Sequence, residues 1–442
     1  MSSFSRKLTV AIGEDARPVG MLFFEARGGK ETSSFRYNEE WLGAPASFAL
    51  SPSLPLLPSP FFASKTGADG LHARSLPGVI ADTSPDAWGR KILAHDTKKL
   101  GRPMTDLDFL VGVDDATRMG ALRFLDEKGT PLRPHGDGRP IVPPIFSLPQ
   151  LQAAARRFEK NDISDEDLQR LLVPGSSLGG ARPKACVAGD DGKLYIAKFT
   201  SERDQNQAIE LAEVMTLTLA GHVGISAPPA RVISVANFPV ALIERFDRIA
   251  GHRAHYISAQ TFLDAHNAED GTYVDMAESL RAYSAAPKEQ LAELFRRIAF
   301  SMLVSNSDDH LKNHGFLMVA GGKWMFSPVF DVNPQPDRHH SLKTPLDHTN
   351  GPDAGIDELI DLAPSFDLAR DEGRALISGM AKTISSTWKS VGESVGMSPE
   401  DIRSYQAAFS HKNMEQASMS CRCSRPGRRR SRLPLSIRQR RR

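Results

Sequence analysis

Asp308 and Asn313 stand five residues apart in Ser305-Asn306-Ser307-Asp308-Asp309-His310-Leu311-Lys312-Asn313-His314. An acid that takes a hydroxyl proton, followed at this spacing by an amide that binds Mg²⁺, is the pair used in protein-kinase catalytic loops. A further acid closes Phe326-Ser327-Pro328-Val329-Phe330-Asp331 after a strand–turn–strand pattern. A carboxylate there would be the second metal-binding group. By itself the Asp-x₄-Asn spacing is weak, because such pairs arise by chance.

Upstream residues supply what phosphoryl transfer also requires. Pro174-Gly175-Ser176-Ser177-Leu178-Gly179-Gly180-Ala181-Arg182-Pro183-Lys184 is a loop of small residues with two bases. Gly179 and Gly180 lack a Cβ, so their N–H groups could approach phosphate oxygens. The loop is neither a Walker A nor a G-x-G-x-x-G pattern and would pass for a surface turn alone. A hairpin follows, Ala185 to Ala188 and Lys193 to Phe199, across Gly189-Asp190-Asp191-Gly192. Alternation sets Leu194, Ile196 and Lys198 on one face. A lysine there either snorkels at an edge or grips a triphosphate. On the helix expected over 206–220, Ile209, Glu213 and Leu217 share a stripe. A glutamate between apolar neighbours is costly unless paired, which makes Glu213 the candidate partner of Lys198. Its bland alternative is an exposed helix glutamate. Arg231 to Val235 and Val240 to Glu244 read as strands that lead through Glu244-Arg245-Phe246-Asp247-Arg248 into a helix-rich half.

The elements that must hold these residues are legible too. Leu291, Leu294, Phe295, Ile298, Ala299, Met302 and Leu303 mark one apolar face of a helix ending just before Asn306. Leu8 to Ile12, Met21 to Glu25 and Ser34 to Tyr37 read as strands, with a turn over 27–31. The prolines of Leu50 to Pro58 forbid a helix and suggest an extended surface segment. Asp82-Thr83-Ser84-Pro85-Asp86 reads as a helix start, with Ser84 as N-cap and Pro85 at N1. A helix is expected over 148–172, and others over 355–363, 370–394 and 399–411. The expected division is 1–125 as an N-terminal α+β unit, 126–147 as linker, 148–245 as a small ATP-binding lobe, 246–412 as a helical catalytic lobe and 413–442 as a disordered Arg-rich tail. The fold class is α+β, a two-lobed protein-kinase-like fold.

At 442 residues the chain is long enough for two or three domains. The overall charge is +2, but ten arginines and no acid fall in 421–442, leaving the rest near −8. The body is therefore not a nucleic-acid binder by bulk charge. Cys186, Cys421 and Cys423 make no disulfide framework. Met1 to Gly20 has no signal-like apolar run and no stretch could span a bilayer, so a cytoplasmic protein without membrane contact is expected.

Taken together, Ser177-Leu178-Gly179-Gly180-Ala181-Arg182-Pro183-Lys184, Ile196-Ala197-Lys198, Ile243 to Arg248, Ser307 to His314 and Ser327 to Asp331 resemble the HipA family, kinase-like toxins of bacterial type II toxin–antitoxin modules. The first 125 residues resemble its amino-terminal subdomain, and the likeness excludes the Arg-rich tail. The resemblance implies a serine/threonine protein kinase using ATP and Mg²⁺. It makes Asp308 the catalytic base and Asn313 and Asp331 the Mg²⁺ ligands. It gives the nucleotide to Lys198, Lys184, Gly179, Gly180 and Ala181, with Glu213 and His310 also at the ATP site. Glu244 and Phe246 would meet adenine through their backbone. Ser177 matches a loop serine that relatives autophosphorylate, switching themselves off, with Ser176 beside it as the alternative acceptor. The implied partners are a small helix-turn-helix antitoxin (HipB-like), operator DNA through that antitoxin, and a protein substrate, which for some relatives is an aminoacyl-tRNA synthetase. Asp309 departs from the glycine of some relatives and adds a charge beside the site.

Two other readings stay open on the residues. Asp308, Asp309, His310 and His314, with His339 and His340 downstream, are dense enough for a metal-dependent hydrolase. A catalytically silent kinase fold could serve as a subunit of an antitoxin–DNA complex.

Overall fold

The computed structural model describes residues 4–65, 74–97, 102–132, 142–177, 179–204, 207–336 and 341–419. Leu178, His339, His340, Cys421, Cys423 and the Arg-rich stretch lie outside the described residues.

Strands β1 (Phe4–Ile12), β2 (Arg17–Arg27) and β3 (Lys30–Tyr37) form an antiparallel meander, extended by β4 (Phe61–Lys65) and β5 (Leu122–Leu125) in the order β4-β3-β2-β1-β5. The β2–β3 turn needs positive φ at both central positions, and Gly28 and Gly29 supply +60° and +83°. Alternate residues Leu8, Val10, Leu22, Phe24, Phe35 and Tyr37 are buried on the inner face. The proline-punctuated segment lies on the surface, as expected, only over 55–58, while Leu50, Ser51 and Leu54 are buried. Tyr37 Oη donates to the Leu54 carbonyl at 2.7 Å and accepts from Leu50 N at 2.9 Å, and both leucines are buried. One phenol thus satisfies backbone groups that the prolines prevent from pairing in a ladder.

His255 is drawn into the same junction. Its Nε2 lies 2.8 Å from the Leu50 carbonyl, with Phe48 and Trp324 against its ring. Burial pushes its pKa down to about 4. An unfolded histidine titrates near ~6.5, so the unfolded chain binds the extra proton first. Its share of stability is whole above that pH and drains as pH falls toward 4, by about 3 kcal/mol. Urea unfolding of wild type and His255→Phe across pH 7 to 4 should show a shallower fall in the variant. Parallel profiles would refute this.

In the small lobe, β6 (Lys184–Ala188), β7 (Leu194–Phe199), β8 (Ala230–Val235) and β9 (Phe238–Glu244) form an antiparallel sheet ordered β6-β7-β9-β8. On β7, Tyr195, Ala197 and Phe199 are buried, while Leu194, Ile196 and Lys198 turn to the other, half-buried face. The single helix expected over 148–172 is two, Leu148–Glu159 and Asp165–Gly175. Asn161 takes a left-handed φ of +56°, and Ser164 starts the second helix by accepting from Asp167 N, so the capping chemistry outweighs continuous apolar spacing. Trp88, Ile92 and Leu93, on the helix Ala87–Asp96 of the N-terminal unit, share one core with these helices and this sheet.

The linker to the large lobe is a buried ionic knot. Asp247 accepts from Arg245 at 2.7 and 2.9 Å, from Arg248 at 2.7 Å and from Gly120 N at 2.7 Å. Arg245 also donates to the carbonyls of Thr117 and Arg118. The N-terminal unit is thereby fastened to the junction between lobes.

The large lobe is built on the helix Pro287–Leu303, whose seven apolar-face residues are all buried. A three-stranded sheet, Tyr256–Ser258, Gly315–Val319 and Lys323–Phe326, and the helices Tyr273–Tyr283 and Arg370–Ser394 surround it. The helix expected over 399–411 is shorter, Pro399–Ser404, followed by a 3₁₀ turn. A last helix, Lys412–Met419, buries Met414 and Ala417 and so occupies the beginning of the segment assigned to the tail. No helix among the described residues is long and apolar enough to cross a membrane.

Candidate active site

Register brings two lysines together, because Lys184 on β6 pairs directly with Lys198 on β7. Lys198 Nζ reaches Glu213 Oε1 at 2.5 Å and Asp331 Oδ1 at 3.0 Å. Burial opposes the Lys198 charge, but Asp331 and Glu213 outweigh it and hold the pKa above the ordinary lysine value. The same ammonium holds the Asp331 carboxyl well below the usual range. Burial, then repulsion from Lys198, pulls Lys184 down to about 8. Glu213 sits on the helix Ile209–His222, where it is fully buried. Its partner on β7 is what makes that burial affordable.

The catalytic-loop candidates leave the helix Pro287–Leu303 through Ser305, at a left-handed φ of +57°. Asn306 is buried and its Oδ1 accepts from Asn333 N at 3.2 Å. Gln335 N donates to the Ser305 carbonyl at 3.0 Å. The loop of Asp308 and the loop of Asp331 are thus joined backbone to backbone. Asn313 donates its amide to the Asp308 carbonyl at 2.8 Å, which leaves its side-chain oxygen as the atom available to a cation. Both hydrogen bonds on Asp331, from Lys198 and Asn333, fall on Oδ1. His310 keeps a buried Nδ1 without a hydrogen-bond partner.

Asp309 is not a charge beside the site, contrary to the expectation from sequence. It points into the large lobe, accepting from Tyr273 at 2.6 Å and Ser301 at 2.8 Å, with His314 Nε2 at 3.0 Å. Burial opposes ionisation, yet His314, Tyr273 and Ser301 hold its carboxyl below the usual range. Asp309 and His314 are spent on each other. Among the described residues no group of three or more His, Cys, Asp or Glu is placed to hold a metal.

The Gly loop is held from outside the two lobes. The helix Ala87–Asp96 begins two residues later than its sequence suggests, with Asp86 rather than Ser84 at the N-cap. The Asp86 carboxylate does not cap its own helix. It accepts from Lys312 Nζ at 2.6 Å and from Gly180 N at 3.4 Å. Burial works against this carboxylate, but Lys312 keeps its pKa below the ordinary value. Trp88 N donates to the Gly180 carbonyl at 3.0 Å and the Trp88 indole to the Lys184 carbonyl at 2.9 Å. Gly179 lies against Asp86, and Gly180, at φ +76°, lies against Lys184. Ser176 and Ser177 are buried with unpartnered hydroxyls, and Ala181 is exposed. Asp86 lay in a helix-start pattern and Lys312 in the catalytic-loop motif, but nothing in either pattern pairs the two across 226 residues.

At the junction, Glu244 N donates to the Pro229 carbonyl at 2.9 Å. Pro229 has no N–H to return the bond, so the Glu244 carbonyl has no ladder partner there. The Glu244 side chain turns away to Lys193 at 2.9 Å. Phe246 is half-buried against Tyr256 and Phe330.

A two-lobed α+β body with this arrangement is a kinase-like fold. The chain belongs to the HipA family: the HipA N-terminal domain matches residues 10–125 and the HipA-like C-terminal domain matches residues 176–388. "Putative kinase Y4mE" of Sinorhizobium fredii is 28% identical over 354 residues, which are 72% of this chain and 75% of that one. A Haemophilus influenzae protein described as "Putative kinase" is 24% identical over 261 residues, 52% of this chain and 69% of that one. HipA of Shewanella oneidensis MR-1, solved with HipB and operator DNA, superposes with a TM-score of 0.68 at 17% identity, covering 94% of this chain and 96% of that one. That likeness speaks to the fold.

Proposed function

We propose that the chain is a serine/threonine protein kinase, acting in the cytoplasm as the toxin of a type II toxin–antitoxin pair. The observation that carries this reading is Lys198 held between Glu213 and Asp331, in a site that also contains Asp308 and Asn313. ATP would lie between the lobes, its adenine on the Glu244 carbonyl and the Phe246 backbone, its phosphates toward Lys198, Lys184, the Gly179–Ala181 loop and His310. The unpaired His310 nitrogen fits a ligand-facing role. Asn313 and Asp331 offer two hard oxygen donors, which suits Mg²⁺, a cation that takes few protein ligands and completes its shell with phosphates and water. Bound Mg²⁺ would neutralise phosphate charge. In the transfer, the bond from the substrate oxygen to the γ-phosphorus forms as the bridge to the β-phosphate breaks. The hydroxyl proton passes to Asp308.

The HipB and operator DNA that accompany the Shewanella HipA support a small helix-turn-helix antitoxin as partner here, with DNA reached through it. An aminoacyl-tRNA synthetase is the first substrate to test. The silent-subunit reading lacks a supporting observation, since the set of Lys198, Glu213, Asp308, Asn313 and Asp331 is complete. The hydrolase reading loses two of its donors to the Asp309–His314 contact.

The test is incubation of the purified protein with Mg²⁺ and γ-labelled ATP, followed by phosphosite mapping. Label on Ser177 or Ser176 is expected. Both hydroxyls are buried, so labelling requires the loop to leave its seat. ATP binding without transfer to itself or to any protein would overturn the kinase reading in favour of a silent subunit.

A further inference from the structure

Lys343 is a charged group at this site that neither the sequence motifs nor the roles above use. Its segment is fixed from three sides. Leu342 N donates to the Pro352 carbonyl at 2.8 Å and Thr344 N to the Asp309 carbonyl at 3.2 Å. Tyr273 N and Val274 N donate to the carbonyls of Pro345 and Leu346 at 3.0 and 3.1 Å. Leu342, Thr344 and Leu346 are buried, so the residues on either side anchor Lys343 while its own side chain stays 39% exposed. Its Nζ lies 3.1 Å from Asp308 Oδ1 and 3.6 Å from Glu269 Oε1. The loop carrying Glu269 is itself tied to the catalytic loop, since Leu311 N donates to the Ala268 carbonyl at 3.0 Å.

A partly exposed ion pair of this kind adds little to folding, about 0–1 kcal/mol. A strap anchored on both sides of one lysine therefore does more positioning than stability requires. An ammonium has three donors. Two face Asp308 and Glu269, and one is left. An acceptor hydroxyl must come within hydrogen-bond reach of the base, so the phosphoryl group it attacks must pass close to the same carboxylate. The equatorial oxygens of that group carry the charge of the transition state.

We propose that Lys343 is a catalytic residue, supplying from the segment beyond Asp331 a cation that contacts the transferring phosphoryl group and orients Asp308. The inference rests on the kinase reading. It concerns the transfer step, whereas Lys198 concerns the bound nucleotide. The step needs no further reactant: the phosphorus–oxygen bond to the acceptor forms, the bond to the β-phosphate breaks, and the proton goes to Asp308.

The experiment compares wild type, Lys343→Ala and Lys343→Arg in single-turnover transfer from γ-labelled ATP, with ATP affinity measured by titration and thermal midpoints recorded beside it. Lys343→Ala is expected to slow transfer about 10- to 100-fold, with ATP affinity within about twofold of wild type and an unchanged midpoint. Lys343→Arg should recover part of the rate. Wild-type transfer with an undiminished Lys343→Ala rate overturns this inference alone. A slow Lys343→Ala protein whose ATP affinity or midpoint falls in proportion overturns it as well, by showing a structural role. Wild type that binds ATP and never transfers defeats the kinase reading, and this inference falls with it.

Discussion

Asp308→Ala is expected to lose phosphoryl transfer by about 10³-fold or more while ATP affinity stays within about twofold. The separation follows from where the carboxylate stands. Lys198 pairs with both Glu213 and Asp331 and not with Asp308. The Asp308 side chain is 47% exposed and paired with Lys343. The Asn313 contact falls on the Asp308 backbone carbonyl, which alanine keeps. The fold and the proposed nucleotide seat should therefore survive the change, and only the proposed acceptor for the hydroxyl proton is removed. Transfer rates measured beside nucleotide titration decide it. Undiminished transfer would remove Asp308 from the mechanism, and a parallel loss of ATP affinity would place it in the nucleotide seat instead.

Asp247→Ala is expected to be the most damaging single change to the fold, lowering stability by about 3–5 kcal/mol. Asp247 is fully buried and accepts four hydrogen bonds from Arg245, Arg248 and Gly120. Burial disfavours its charge, but the two guanidinium groups overcome that and hold its pKa far below the ordinary carboxylate value. Removing it strands the Arg245 charge in the interior. The acid dependence has a definite sign. An unfolded aspartate titrates near ~3.9, so the contribution of Asp247 is present above that pH and is lost as pH falls below it toward the folded value. Urea unfolding at pH 7 of wild type and variant measures the main effect. A difference below about 1 kcal/mol would show that the knot is not worth its burial.

How much of this site could be read from sequence depended on whether chemistry coincided with a local period. Lys198 was legible because a lysine broke an alternating strand, and Glu213 because it interrupted an apolar helical stripe. Their contact joins two local signals. The fold class was legible for the same reason, since β1 to β3 and the helix Pro287–Leu303 announce themselves by period. Asp86 and Lys343 had no such signal. Asp86 read only as part of a helix start, and only the tertiary fold turns it toward Lys312, 226 residues away. Asp309 was misread because sequence cannot say which way adjacent carboxylates point. Tyr273, on a separate helix, draws it inward. The break between Leu148–Glu159 and Asp165–Gly175 was missed because the Ser164 cap acts at one residue while the apolar spacing continues across it.

The grip of Asp86 and Trp88 on the Gly loop makes the N-terminal unit and the proposed nucleotide seat parts of one lever. Gly180 is bonded at both its N–H and its carbonyl from that unit, and a Cβ on Gly89 would meet the Ser176 carbonyl at 2.5 Å. The loop cannot lift without either breaking these bonds together or carrying the helix with it. The catch on this loop therefore lies in a different domain from the proposed chemistry. A push on the N-terminal sheet, or a single methyl group at position 89, would reach the Gly179–Ala181 loop without entering the cleft.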